Sequence, residues 1–234
     1  MKYPVVEING IDMLKKYKAI LGEQHSVQPP VPKTFYQDVP GADGSADLST
    51  AISGRITYNR RVITMNFQCE HKDNQWTTVM SEILKEFHGK EGKIVFGDDP
   101  AYYYFGRMEV SGYERSRTYG KFTITVNAEP YKYEQYSSLD PWLWDPFNFQ
   151  TGVICYCKDI AVDGTKILNI HGTERWAIPV FITEGNIKVT FGGETYDLQP
   201  GRSKIYSIVI EPGMNTFQFT GKGTVSVEYR GGKL

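Results

Sequence analysis

The 234-residue sequence predicts a mainly β protein of two domains, the first carrying one α-helix and the second none. Three observations lead there. Several segments alternate apolar and polar residues with a period of two, which sets one face of a strand on a core and the other towards water. A single segment, beginning at Trp76, has helical spacing instead. Sixteen tyrosines and 23 glycines suit pleated surfaces and tight turns.

Taken in chain order, the start Met1–Glu7 lacks the apolar core of a secretory signal and reads as a native beginning. Between Gly22 and Asp38 the prolines Pro29, Pro30 and Pro32 discourage a central strand and favour an extended arm or loop. Gly41 to Gly54 is small and polar. Long loops inside a compact domain are usually functional or mobile, and contact with a neighbouring copy can order them. Ile63, Met65, Phe67 and Cys69 then share one strand face, with Thr64, Asn66, Gln68 and Glu70 opposite.

The helix places Trp76, Val79, Met80, Ile83, Leu84 and Phe87 on one side. Asp73 or Asn74 is suited to cap its start and Gly89 to end it in a left-handed turn. A strand at Ile94–Phe96, a turn over Gly97–Pro100 and a strand over Ala101–Val110 follow. Phe122, Ile124, Val126 and Ala128 close the set, opposed by Thr123, Thr125 and Asn127.

The texture then changes, which divides the chain into a domain over 1–134, a linker over 135–150 and a domain over 151–234. In the linker, Pro141 and Pro146 bracket Trp142 and Trp144. These indoles read as interdomain anchors in preference to platforms for a sugar or a base. From Ile187 to Tyr229 short alternating strands are expected, with turns at Gly192–Gly193, Pro200–Gly201, Pro212–Gly213 and Gly221–Lys222–Gly223. Even strand spacing without a helix points to a β-sandwich.

The residues offer little chemistry. A formal net charge of -1 argues against general affinity for nucleic acid or an acidic membrane surface. The longest apolar runs, such as Ile208–Ile210, are far too short to span a bilayer. Three cysteines, Cys69, Cys155 and Cys157, are too few and too odd for a disulfide framework and fit a reducing cytoplasm. Cys155–Tyr156–Cys157 puts both sulfurs on one strand face, a reading preferred to a metal pair because no second ligand pair accompanies it.

His25, His71, His88 and His171 lack clustered partners, and Asp98–Asp99 before Pro100 reads as a solvated turn and not as a glycosidase pair. Neither a nucleophile elbow nor a phosphate loop is present. No catalytic residue, metal or cofactor is therefore expected. Tyr102–Tyr103–Tyr104–Phe105 is equally a two-sided buried strand or a strand offering one aromatic pair to a neighbour.

Four stretches, in order, resemble the distal tail proteins of siphophages. They are Ile8–Asp12; Val39–Gly44 with Asp47–Ser49; Leu84–Lys90 continuing through Phe96–Arg107; and Pro212–Phe217 with Gly223–Tyr229. The resemblance implies an amino-terminal ring-forming domain, β-sandwich or barrel-like with one helix, followed by a galectin-like β-sandwich. It implies a hexameric ring acting as a structural hub between tail tube and tail tip or baseplate, at the distal end of the virion tail after assembly in the host cytoplasm.

The expected partners are further copies of the chain, the tail tube protein, a tail-associated tip or tape measure protein, and receptor-binding proteins. Pro29, Pro30, Pro32, Val39, Gly41, Asp43, Tyr102, Tyr104 and Arg107 are the candidate subunit-contact residues. Of a galectin sugar site only His171, Arg175 and Trp176 lie close together, so the second domain is expected to bind protein or act as a spacer. The competing readings are a carbohydrate-binding module for host wall sugars, a tail tube protein and a peptidoglycan hydrolase.

Overall fold

The structure, a computed structural model, describes residues 5–70, 75–115, 119–140 and 157–234. It divides into two compact units. Unit 1 is Met1–Asp99 with Tyr103–Lys132, and unit 2 is Pro100–Tyr102 with Tyr133–Leu234. Trp142 and Trp144, the Cys155–Tyr156 pair and the capping candidates Asp73 and Asn74 lie outside the described residues.

Unit 1 runs β1 (Val6–Ile8), β2 (Ile11–Asp12), α1 (Met13–Tyr17), β3 (Ala19–Leu21), β4 (Ser26–Val27), β5 (Tyr36–Asp38), β6 (Ser45–Asp47), β7 (Arg61–Glu70), α2 (Trp76–Phe87), β8 (Glu91–Phe96), β9 (Tyr102–Arg115) and β10 (Tyr119–Ala128). Hydrogen-bonded neighbours follow the order β2-β1-β8-β9-β10-β7-β3, and β4 also pairs with β7. The β7–β10 ladder is unbroken, from Tyr119 opposite Glu70 to Ala128 opposite Arg61. It sets the two apolar series face to face in register: Phe122 with Phe67, Ile124 with Met65 and Val126 with Ile63. The Phe67 and Phe122 rings stack at 5.1 Å.

Helix α2 covers this face by burying Trp76, Met80, Ile83 and Phe87, each worth roughly 1.5–3 kcal/mol. Leu84, expected on the same side, is exposed, because the buried stripe is one residue narrower than the apolar pattern. Trp76 can lie on the sheet because Gly120 is beneath it; a Cβ there would come within 2.4 Å of the indole. The helix ends as expected, with Gly89 at φ 76°.

A second helix, α1, was not foreseen. Five residues are too few to show a period, and its start depends on one cap, Asp12 Oδ1 accepting from the Lys15 N–H at 3.0 Å. The same Ile8–Asp12 stretch forms the β1–β2 turn. Asn9 at φ 53° and Gly10 at φ 76° take the left-handed conformations of a tight hairpin turn, and Asn9 Oδ1 accepts from the Lys93 N–H.

Unit 2 contains β11 (Lys132–Glu134), β12 (Ile160–Gly172), β13 (Val180–Phe191), β14 (Glu194–Leu198), β15 (Gly201–Lys204), β16 (Gly213–Glu228) and β17 (Gly232–Lys233). Its main sheet runs β12-β16-β13-β14, with β15 on β13, and β11 pairs with β17 outside that sheet. The strands are longer than the sequence suggested. Gly221–Lys222–Gly223 is not a turn: it lies inside β16, where Gly221 pairs with Gly164 and Gly223 with Gly185.

The reason is close backbone approach. A Cβ on Gly223 would sit 1.9 Å from the Glu184 carbonyl oxygen, and one on Gly221 2.1 Å from that of Asn186. Glycines here let long strands bend sharply without breaking. As a result Phe217 and Phe219, before the bend, share one core with Val225 and Val227, after it. The turn at Gly192–Gly193 falls between strands as expected, whereas at Pro200–Gly201 and Pro212–Gly213 the glycine opens the next strand, β15 and β16.

Gly223→Ala is expected to cost unit 2 about 2 kcal/mol or more by chemical denaturation. Gly192→Asn, in open space at φ 60°, should stay within about 1 kcal/mol of the parent. Equal losses would contradict the close-approach account.

Glu134, half-buried against Gly231, supplies a second test. Burial raises its pKa above the ordinary 4.5, while a Gly231 backbone hydrogen bond and the charges of Lys233 and Arg230 pull it down. The folded state therefore holds this proton more tightly than the unfolded chain. Its contribution is present at acid pH and is lost as pH rises through the raised value. Glu134→Gln should flatten that part of the stability–pH curve and stabilise the protein at neutral pH; thermal melts between acid and neutral pH measure this.

Candidate assembly surface

Much of unit 1 between Gln28 and Arg60 packs on no core. The chain runs along the edge of β7 through β3 and β4, with Ala19 opposite Cys69 and Val27 opposite Ile63. The same ladder then continues outward. Gln28 N–H donates to the Val62 carbonyl, Asn59 N–H to that of Val31, and Lys33 N–H to that of Thr57, with a bridge between Pro32 and Tyr58. Beyond it β5 and β6 form their own two-stranded ribbon, Tyr36 opposite Asp47 and Asp38 opposite Ser45. The result is an arm rooted on β7 whose side chains from Val31 to Leu48 are exposed.

Hydrogen bonds shape the arm where apolar burial does not. At the tip Ala42 N–H donates to the Val39 carbonyl, with Gly41 at φ 81° and Gly44 at φ 77°. The Ser45 hydroxyl donates to Asp38 Oδ1 at 2.6 Å. At the elbow Asp47–Leu48–Ser49, Asp47 Oδ1 accepts both the N–H and the hydroxyl of Ser49. Those bonds hold the Asp47 pKa below its usual value. Ser49 Oγ in turn accepts from the Phe35 N–H at 2.9 Å, and the Leu48 N–H donates to the Phe35 carbonyl, tying the two legs together.

The arm nonetheless carries large apolar groups in water. Phe35 is 58% exposed and Tyr36 59%, and Val31, Val39, Leu48 and Ile52 are exposed as well. Scattered exposed apolar residues are ordinary, but six on one short ribbon form a surface with the composition of an interface.

Of the candidate contact residues, Pro29, Pro30, Pro32, Val39, Gly41 and Asp43 all lie on this arm or its root, with Pro30 buried and the others exposed. Tyr102, Tyr104 and Arg107 lie on β9 instead. Tyr102 is only 6% exposed. Tyr104 packs edge-on against Phe96 at 6.0 Å and lies under the Arg61 guanidinium. Arg107 is exposed and pairs with Glu91 at 2.9 Å. Phe35, Tyr36, Leu48 and Ile52 escaped the sequence reading, which followed the glycines and prolines; their only signal was bulk among small polar neighbours.

Elsewhere, reactive side chains are engaged in packing. Asp99 pairs with Lys132 at 2.7 Å, and His88 Nδ1 accepts from the Val110 N–H. In unit 2 Arg175 stacks on Tyr133 at 4.8 Å and donates to the Arg230 carbonyl. Among the described residues no group of three His, Cys, Asp or Glu could hold a metal ion, and no helix is long and apolar enough to cross a membrane.

Comparison with known proteins bears on this surface. Residues 13–128 match the family model of the phage tail protein RIFT-related domain. No curated protein matches the chain. Among solved structures the chain is similar to the Dit protein of phage SPP1, described as a paradigm of the hub adsorption apparatus in phages infecting Gram-positive hosts. The TM-score is 0.66 at 12% identity, covering 100% of both chains. The mainly β architecture expected from the sequence is thus the one observed.

Burial pushes the Cys69 thiol up to about 12, and Cys157 is buried too. In a Cys155→Ser background neither should react with a thiol reagent at pH 8 until denaturant is added, since the thiolate is the nucleophile. Rapid labelling of the native protein would contradict their burial.

Proposed function

From the match of residues 13–128 to a phage tail family, we propose that this chain is a structural distal tail protein. Six copies form a ring hub that connects the tail tube to the tail-tip or baseplate adsorption apparatus. The full-length likeness to the SPP1 hub protein supports this reading. The observation that carries it is the arm: a hydrogen-bonded ribbon with exposed Phe35, Tyr36, Val39 and Leu48 is built before assembly and lacks a surface to cover it. A ring of identical subunits requires heterologous contacts, one surface on a different surface of the next copy, and a projecting arm supplies one.

On this reading Pro29, Pro30, Pro32, Val39, Gly41 and Asp43 belong to the subunit contact. Arg107 and the uncovered edge of Tyr104 add to it from β9, with Tyr102 supporting that strand from within. The tail tube protein and a tip or tape measure protein meet the two faces of the ring, and receptor-binding proteins attach around it. The protein acts at the distal end of the virion tail, after assembly in the host cytoplasm. Its second unit, with Arg175 committed to Tyr133 and Arg230, serves as a protein-binding or spacer module.

Negative-stain imaging of the concentrated protein should show six-fold rings. Replacing residues 34–54 with a short Gly-Ser linker should abolish the rings and leave thermal unfolding nearly unchanged, because those residues pack on no core. A persistent monomer, or intact rings without the arm, would count against the reading.

A further inference from the structure

The arm is electrically polarised along its length. Residues 34–54, the outer part, contain Asp38, Asp43 and Asp47 and no lysine, arginine or histidine. The root, residues 28–33 and 55–62, contains Lys33, Arg55, Arg60 and Arg61 and no acid. From the Pro32–Tyr58 bridge the outgoing leg reaches the tip at Gly41 in about nine residues, so fully extended it spans roughly 30 Å. That sets Asp43, at the tip, about three Debye lengths from the root at ordinary ionic strength, too far for the root cations of the same chain to neutralise it.

Among the described residues the root also holds a cation without a carboxylate partner. Arg61 is only 5% exposed, yet its Nε and Nη2 have no hydrogen-bond partner. The Tyr104 ring lies 5.5 Å from the guanidinium carbon, and the Tyr104 side chain favours the charged form. Burying a guanidinium without an opposing carboxylate is costly, and such groups ordinarily have a partner. Next to it, exposed Arg60 makes a single 3.2 Å bond to the Asn127 carbonyl. The tip, for its part, presents Asp43 on an exposed turn beside exposed Val39.

We propose that the acidic outer arm of one copy docks on the basic arm root of the next, in a head-to-tail contact repeated around the assembly. The occupant of the root is thus a second copy of this chain. The apolar residues supply contact area, and the charges supply direction: acid meets base only if every arm points the same way round. The contact also brings negative charge to the side of unit 1 where Arg61 lies uncompensated. This inference rests on the ring reading and specifies which surfaces meet.

Paired charge reversal tests it. Variant A carries Asp38→Lys and Asp43→Lys; variant B carries Lys33→Glu and Arg60→Glu. All four positions are exposed, so thermal melts should show both variants folded. Alone, A sets a basic tip against a basic root, and B sets the acidic tip against a root whose charge is cancelled, two new acids against Arg55 and Arg61. Each should associate roughly tenfold or more weakly than the parent by sedimentation, and the parent should weaken as salt is raised.

Mixed in equal amounts, A and B should recover part of the association, because the acidic tip of B then meets the intact basic root of A and the tip of A no longer faces a basic root. Parent-like association of either variant alone, or no recovery on mixing, would overturn the docking while leaving the ring reading intact. A parent protein monomeric at every concentration would instead overturn the ring reading and the docking with it.

Discussion

Unit 1 depends on one register, the antiparallel pairing of β7 with β10. Ten consecutive residue pairs place Phe67 on Phe122, Met65 on Ile124 and Ile63 on Val126, so a single alternation in each strand becomes one continuous apolar face. A slip of one residue would turn every one of these side chains to the other face. α2 packs on that face through Trp76, Met80, Ile83 and Phe87, and Gly120 clears the space for the indole. β7 also bears β3 and β4 on its other edge, and past Arg61 it becomes the returning leg of the arm. The strand that organises the core therefore also aims the surface that leaves it.

The arm is held by different physics from the core. A residue fixed in place costs roughly 1–2 kcal/mol of backbone entropy, and apolar burial normally offsets it. Here the offset comes from polar turns: the Asp47–Ser49 elbow, the Ser45–Asp38 bond and the left-handed glycines at the tip. A ribbon shaped in advance loses less freedom on binding than a disordered loop would, so more of its contact energy can appear as affinity. The segregation of acid at the tip and base at the root then gives orientation to a contact whose apolar part is non-directional.

Unit 2 solves a separate problem, enclosing a core with few strands. Gly185, Gly221 and Gly223 meet between β13 and β16 and allow close backbone approach. The two ends of β16 can then line the same core without an intervening loop. A side chain at Gly221 or Gly223 would collide with a neighbouring carbonyl, so the bend needs that residue type there.

The sequence by itself determined the elements whose pattern repeats within a strand or helix: the alternations of β7 and β10, the stripe of α2, the left-handed stop at Gly89 and the division in texture after the first half. Those signals are local, because period and turn chemistry are properties of neighbouring residues. It also marked 22–38 and 41–54 as irregular. Tertiary structure alone decided the rest. Gly221–Lys222–Gly223 has the composition of a turn, and only the approach of Glu184 and Asn186 from another strand makes it a bend inside one. Tyr102–Phe105 reads equally as a two-sided buried strand or as one offering an aromatic pair, and only the fold buries Tyr102 and sets Tyr104 against Phe96 and Arg61. Phe35, Tyr36 and Ile52 carry no local signal beyond their bulk, and only three dimensions leave them in water. Burial depends on what comes from far along the chain, and no local pattern records it.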